Sequence, residues 1–202
     1  MDLLTGIGWK KNKQIRKDDS MKLYINGSNR KGNCSKILND LKEKEDELIE
    51  LSDKSINYCL GCNSCMDDLE EHCILEDDMR QIYEQILKAD KIIIATPIYM
   101  NHITGLLKNI IDRFNPFSWH DDLLKGKTIY LITVGQMNEE ENEEIATNIK
   151  EYFESIGEFM GFETVFLKNF TSGDIKTLDD IAKVYDNYSE IIEELKIKIK
   201  SN

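Results

Sequence analysis

The chain has 202 residues, of which 41% are hydrophobic and 32% charged, with a formal net charge of −12 at pH 7. This is enough for one ordinary core, with no compositional cue for a second. So acidic a balance opposes non-specific nucleic-acid binding, and the longest apolar run, 92–100, is interrupted by Pro97 and too short to cross a bilayer.

Residues 1–20 bunch Lys10, Lys11, Lys13, Arg16 and Lys17 behind a short apolar start. With Asp2 ahead and the positive charge behind, the order is not that of a secretory signal. The segment reads as a flexible extension, with Met21 as an alternative start, ahead of one domain over 21–202. Without an export signal the protein is expected in a reducing cytoplasm, where clustered thiols serve metal or redox chemistry more often than disulfides.

From Met21 onward, strand-like and helix-like segments alternate. Leu23-Tyr24-Ile25 predicts a first strand, and Cys34, Ile37, Leu38 and Leu41 recur at the spacing of a helix stripe. Residues 47–51 predict a weaker second strand. Met79, Ile82, Tyr83, Ile86 and Leu87 mark a second helix, with Asp77 and Asp78 suited to its N-terminal turn. Residues 92–95 are apolar on both faces, as a central parallel strand should be. Leu106, Leu107, Ile110, Ile111 and Phe114 predict a third helix, and 128–134 a fourth strand. Ile145, Ile149, Tyr152, Phe153 and Ile156 line a fourth helix that Gly157 or Gly161 can end. A fifth strand is expected over 164–167. The last helix carries Leu178, Ile181, Tyr185, Tyr188, Ile192 and Leu195. Five strands and five helices in alternation predict a flavodoxin-like doubly wound α/β sheet, order 2-1-3-4-5, with ligands at the carboxyl ends of the first and third strands.

The loop after strand one, 26–35, has the composition of a phosphate cradle. Glycines permit a tight turn, Ser28 and Ser35 carry hydroxyls, Arg30 carries charge, and a helix start presents free N–H groups. It is equally readable as a capped polar turn. After strand three, Pro97 stiffens a loop in which Ile98, Tyr99 and Met100 offer apolar surface and Asn101 or His102 can meet ring heteroatoms.

A cysteine run, Cys59, Cys62, Cys65 and Cys73, lies in the loop 58–75. Three cysteines at three-residue steps with a fourth nearby favour a [4Fe-4S] cluster over zinc, and unligated reduced thiols stay open. The run follows strand two and is expected on the same sheet edge as the other two loops. Asp112 and Arg113 read as a surface ion pair at a helix end.

The strings 27–34, Cys59-Leu-Gly-Cys62-Asn-Ser-Cys65, 76–79 and Thr96-Pro-Ile-Tyr99 with Ile111-Asp-Arg113 resemble the NADPH-dependent FMN reductase superfamily, most of all its iron-sulfur flavoprotein branch. The resemblance implies FMN, a homodimer or homotetramer and, in that branch, a [4Fe-4S] cluster. By position, Ser28, Arg30, Asn33, Cys34 and Ser35 would hold the FMN phosphate, and Pro97, Ile98, Tyr99, Met100, Asn101 and His102 the ring. Thr133, Gly135 and Gln136 would touch the ring's other edge. Two residues depart from the pattern: Cys34 stands where many relatives have Thr, and His102 replaces a usually small residue. The activity implied is electron passage between FMN and the cluster or an external acceptor, with NAD(P)H or a ferredoxin-like protein as redox partner. A cluster-free NAD(P)H-dependent flavin, quinone or nitro reductase and a non-enzymatic flavodoxin-like carrier are the alternatives.

Overall fold

A computed structural model of the chain describes residues 21–66, 73–119, 123–171 and 180–201. The amino-terminal extension, part of the cysteine loop at 67–72, and Leu178 lie outside the described residues.

Five strands, β1 (Lys22–Asn26), β2 (Glu47–Glu50), β3 (Lys91–Pro97), β4 (Thr128–Gly135) and β5 (Glu163–Thr171), form one parallel sheet in the order β2-β1-β3-β4-β5. Because successive strand residues face opposite ways, the unbroken apolar stretch of β3 serves two cores. Ile92 and Ile94 pack on one face, and Ile93 and Ala95 on the other.

The first core is closed by α2 (Met79–Lys88), α3 (Gly105–Asp112) and α5 (Glu139–Met160). The second is closed by α1 (Asn33–Leu41) and α6 (Tyr188–Ser201). Each fully buried Ile or Leu contributes about 1.5–3 kcal/mol, so the helix stripes rather than helix propensity hold the layers together. Cys34, Ile37, Leu38 and Leu41 are all buried, as are Met79, Ile82, Tyr83 and Ile86. Of the two candidate stops for α5, Gly161 ends the helix in a left-handed conformation at φ 82°. Gly157 stays inside it, where a side chain would meet the Phe162 carbonyl at 2.6 Å.

Two departures from the expected elements have local causes. A short extra helix, α4 (Asn115–Trp119), follows α3. Five residues make too little of a turn to show a periodic stripe; Phe117 instead anchors it by edge-to-face contacts with Tyr83 and Phe114, each at 5.4 Å. The last helix begins at Tyr188, and Ile181 lies in a separate 3-10 turn, Ile181–Lys183. That turn is held by its Ile181 N–H donating to the Asn33 Oδ1 of α1, at 2.9 Å. No helix among the described residues is long and apolar enough to cross a membrane.

Candidate functional site

The loops after β1, β3 and β4 lie together at the carboxyl edge of the sheet. Gly27 N–H donates to the Ala95 carbonyl of β3 at 2.8 Å, and Ile98 N–H to the Val134 carbonyl of β4 at 2.9 Å. Thr104 joins the first two loops, because its hydroxyl donates to Gly27 O at 2.6 Å and accepts from Leu107 N–H at 3.0 Å, capping α3. Gly27 is tightly packed, since a Cβ there would lie 3.1 Å from Leu107 and 3.3 Å from the Ala95 carbonyl.

In the first loop, Asn26 Oδ1 accepts from Ser28 N–H at 3.0 Å and Ser28 Oγ accepts from Arg30 N–H at 3.3 Å, folding the loop on itself. Ser35 Oγ donates to the Glu50 carboxylate at the end of β2, which also accepts from Asn26 Nδ2 at 2.5 Å. The Ser35 hydroxyl hydrogen is therefore engaged within the protein. Asn33 is tied to the Ile181 turn. Cys34 is buried in the second core, and burial pushes its thiol up to about 12 against the weaker pull of Arg30. Its side chain is a core group. What the loop offers an anion is backbone and Arg30: α1 opens with no side-chain cap and no acidic residue in its first turn, while Thr104 caps α3 and Asn138 caps α5. An uncapped helix start beside a guanidinium suits a phosphate.

The second loop is a tight hairpin. Tyr99 and His102 exchange backbone hydrogen bonds at 2.8 and 3.1 Å, with Met100 and Asn101 at φ 47° and 62° between them, the two left-handed positions of a type I′ turn. Tyr99 is exposed and Met100 almost wholly so, at 98%. His102 turns away toward α5, its ring 5.1 Å from that of Tyr152. At the end of β4 Thr133 is buried and donates to Asn169 Oδ1 at 3.0 Å, and Gly135 lies directly against the Asn142 side chain, while Gln136 and Met137 in the loop that follows are exposed. Bare apolar side chains beside an anion cradle at one sheet edge fit FMN, whose ring would cover them.

The cysteine loop departs from the expected placement. It leaves the carboxyl end of β2 but is then drawn along α3. Asn109 Nδ2 donates to Ile56 O at 3.0 Å, Arg113 Nη1 to Asn57 O at 2.8 Å, and Asn115 Nδ2 to Cys65 Sγ at 3.2 Å. The thiols thus gather at the C-terminal end of α3, and the ring loop lies at its N-terminal end. Eight helical residues at 1.5 Å each separate them by about 12 Å along the axis.

Cys59, Cys62, Cys65 and Cys73 line one pocket, with Tyr83, Arg113 and Asn115 among its other walls. Cys65 is buried, and burial raises its pKa against the opposing bond from Asn115. Cys62 is exposed, and bonds from the Ser64 hydroxyl and N–H hold its thiol below the ordinary value. Among the described residues no three His, Cys, Asp or Glu side chains draw close enough around one point to hold a single ion. Zinc needs four ligands at about 2.3 Å from one centre. A [4Fe-4S] cluster is held by four Cys thiolates, and the four cysteines that line this pocket are that donor set.

Arg113 is not the surface residue that its helix-end position suggested. It is 1% exposed and pairs with Asp77, while Asp112 forms an exposed pair with Lys108. Burial works against the guanidinium charge, but the Asp77 carboxylate outweighs it and holds the group above its ordinary value. Asp77 also accepts from Asn57 N–H at 2.9 Å and Met79 N–H at 3.1 Å. One carboxylate thereby ties the cysteine loop, the start of α2 and the end of α3. No local pattern signals this, because its partners come from separate segments.

The sequence pattern described as NADPH-dependent FMN reductase matches residues 21–148, more than half of the chain. The chain belongs to the NADPH-dependent FMN reductase family. This FMN reductase relative is 41% identical over 101 residues to an iron-sulfur flavoprotein of Methanocaldococcus jannaschii, covering 48% of this chain and 50% of that protein. It is also 41% identical over 110 residues to an iron-sulfur flavoprotein of Archaeoglobus fulgidus, covering 51% and 49%. The chain spans about half the length of these curated relatives. Among solved structures, the Trp repressor binding protein from Bacillus subtilis superposes with a TM-score of 0.60 at 21% identity, covering 87% of this chain and 96% of that one. This likeness supports the doubly wound fold alone.

Proposed function

We propose that the chain is a flavin-dependent oxidoreductase of the iron-sulfur flavoprotein type, with FMN on the loops after β1, β3 and β4 and a [4Fe-4S] cluster on Cys59, Cys62, Cys65 and Cys73. The observation that carries the reading is the lining of one pocket by all four cysteines at the C-terminal end of α3, with the hairpin after β3 ahead of its start. When bound, FMN accepts a pair of electrons or single ones and the cluster single ones, so together they link a two-electron donor to a one-electron partner.

The protein's own part is binding and placement. Arg30 and the uncapped start of α1 take the phosphate charge. The type I′ hairpin holds Tyr99 and Met100 out as apolar surface for the ring. Thr104 keeps the phosphate and ring loops in register. The Arg113–Asp77 pair holds the cysteine loop against α3. NAD(P)H or a reduced ferredoxin-like protein supplies electrons, and the chain works as a homodimer or homotetramer in a reducing cytoplasm.

The test is iron, acid-labile sulfide and flavin analysis of anaerobically purified protein. Close to four iron and four sulfide per FMN is the expected result. FMN without iron or sulfide would leave a cluster-free reductase. Bleaching of the flavin by NADPH or NADH then separates a nicotinamide donor from one that requires reduced ferredoxin.

A further inference from the structure

Both Nη nitrogens of Arg113 and Nδ2 of Asn115 have hydrogen-bond partners, and Nε of Arg113 does not. Arg113 uses Nη1 and Nη2 on Asp77, at 2.9 and 3.3 Å, and Nη1 also reaches Asn57 O. Its Nε is buried and makes no hydrogen bond of good geometry among the described residues, although the Tyr83 hydroxyl interacts with the guanidinium. Burying an unmatched N–H forfeits its hydration without return, so such a group on a residue that lines a pocket marks where an acceptor belongs. Arg113 lines the cysteine pocket together with Asn115, and Asn115 Nδ2 already donates to Cys65 Sγ at 3.2 Å. The buried side of the pocket therefore carries a cation, a donor already on sulfur and a second donor without a partner of good geometry, whereas Cys59 and Cys62 are exposed.

We propose that Asn115 and Arg113 are positioning residues that raise the reduction potential of the cluster, Asn115 by its N–H bond to Cys65 and Arg113 by directing its Nε–H and its charge into the pocket. The inference rests on the cluster reading above. Each electron added to the cluster increases negative charge on its sulfurs, and hydrogen bonds to sulfur and nearby charge are among the terms that set the potential. Donors fixed by Asp77 and by the start of α4 stabilise the reduced form without having to reorient.

The experiment is a redox titration of the cluster in the complete holoprotein, poised with dithionite and mediators and followed by electron paramagnetic resonance, for wild type, Asn115→Leu, Asn115→Asp and Arg113→Lys. Iron and sulfide contents are measured on the same samples. Asn115→Leu should keep the cluster and shift the one-electron reduction equilibrium about tenfold toward the oxidised form, which is about 59 mV. Asn115→Asp should shift it further in the same direction. Arg113→Lys keeps the charge but removes Nε–H, and should shift the equilibrium by less. A role in folding alone would alter cluster content and leave the potential of the loaded fraction unmoved. Loaded Asn115→Leu with the wild-type potential overturns this inference and leaves the cluster reading standing. Wild-type protein without iron and sulfide overturns the cluster reading, and this inference with it. Should Arg113→Lys fail to fold, the two Asn115 variants decide the donor effect.

Discussion

Arg113, just past the end of α3, grips Asp77, just ahead of α2, through two nitrogens at 2.9 and 3.3 Å, with both side chains almost wholly out of solvent. The pair is the point at which the cysteine loop is fastened, because Asn57 gives its carbonyl to Arg113 and its N–H to Asp77.

Removing one partner strands the other. Asp77→Ala leaves a buried guanidinium without its counter-ion, and we expect a loss of roughly 3–5 kcal/mol in urea denaturation. The double variant Asp77→Leu/Arg113→Met should recover much of that loss, since apolar replacement of a buried pair is often close to neutral. A single-variant loss below about 1 kcal/mol, the range of an exposed pair, would contradict the buried role.

The same pair makes stability depend on acid. Burial alone would push the Asp77 carboxyl up, but Arg113 and the N–H groups of Asn57 and Met79 outweigh it and hold it below the usual carboxylate range. Its contribution is therefore complete above the unfolded value of about 3.9 and is lost as pH falls through that value toward the lower folded one. The urea midpoint of wild type should exceed that of Asp77→Asn at pH 6, and the gap should narrow as pH falls below the unfolded value toward pH 3. A gap that stays constant across this range would count against the linkage.

Thr104 does two jobs with one hydroxyl, capping α3 and bonding Gly27 O. Thr104→Val keeps the shape and loses both, at a cost of about 1–3 kcal/mol. FMN affinity should fall with it, since the phosphate and ring loops lose their link; titration of apoprotein with FMN, followed by flavin fluorescence, measures this. Unchanged FMN affinity would mean that Gly27 is held by its bond to Ala95 alone.

For Arg30, phosphate specificity is the readout. Arg30→Gln should weaken FMN by roughly tenfold to a hundredfold, the worth of a hydrogen bond to a charged group, and leave riboflavin affinity unchanged. Equal losses for both flavins would remove Arg30 from the phosphate and assign it to the loop's folding.

Much of the fold was legible because its signals are local. The stripe Cys34, Ile37, Leu38, Leu41 and the apolar run of β3 each announce a period and a degree of burial. The short α4 was not legible, since its stability comes from Phe117 against Tyr83 and Phe114 rather than from a repeat. In the site, the nominated loops do come together, but several nominated side chains have other duties. Ser35 serves Glu50, Asn33 serves Ile181, Thr133 serves Asn169, and Cys34 belongs to the core. A residue type tells what a side chain can bond; its neighbours determine what it does bond.

The amino-acid order by itself determined the alternation of strands and helices and which loops bear the glycine-rich turn, the hairpin and the cysteine run, because periodicity and turn residues act over a few positions. Only the tertiary structure decided where the cysteines stand. Asn109, Arg113 and Asn115 draw their loop to the far end of α3, and Asp77 closes the clamp across residues 36 apart in the chain. Such pairing depends on burial and on charges meeting in space, and neither is written in the spacing of Cys59, Cys62, Cys65 and Cys73.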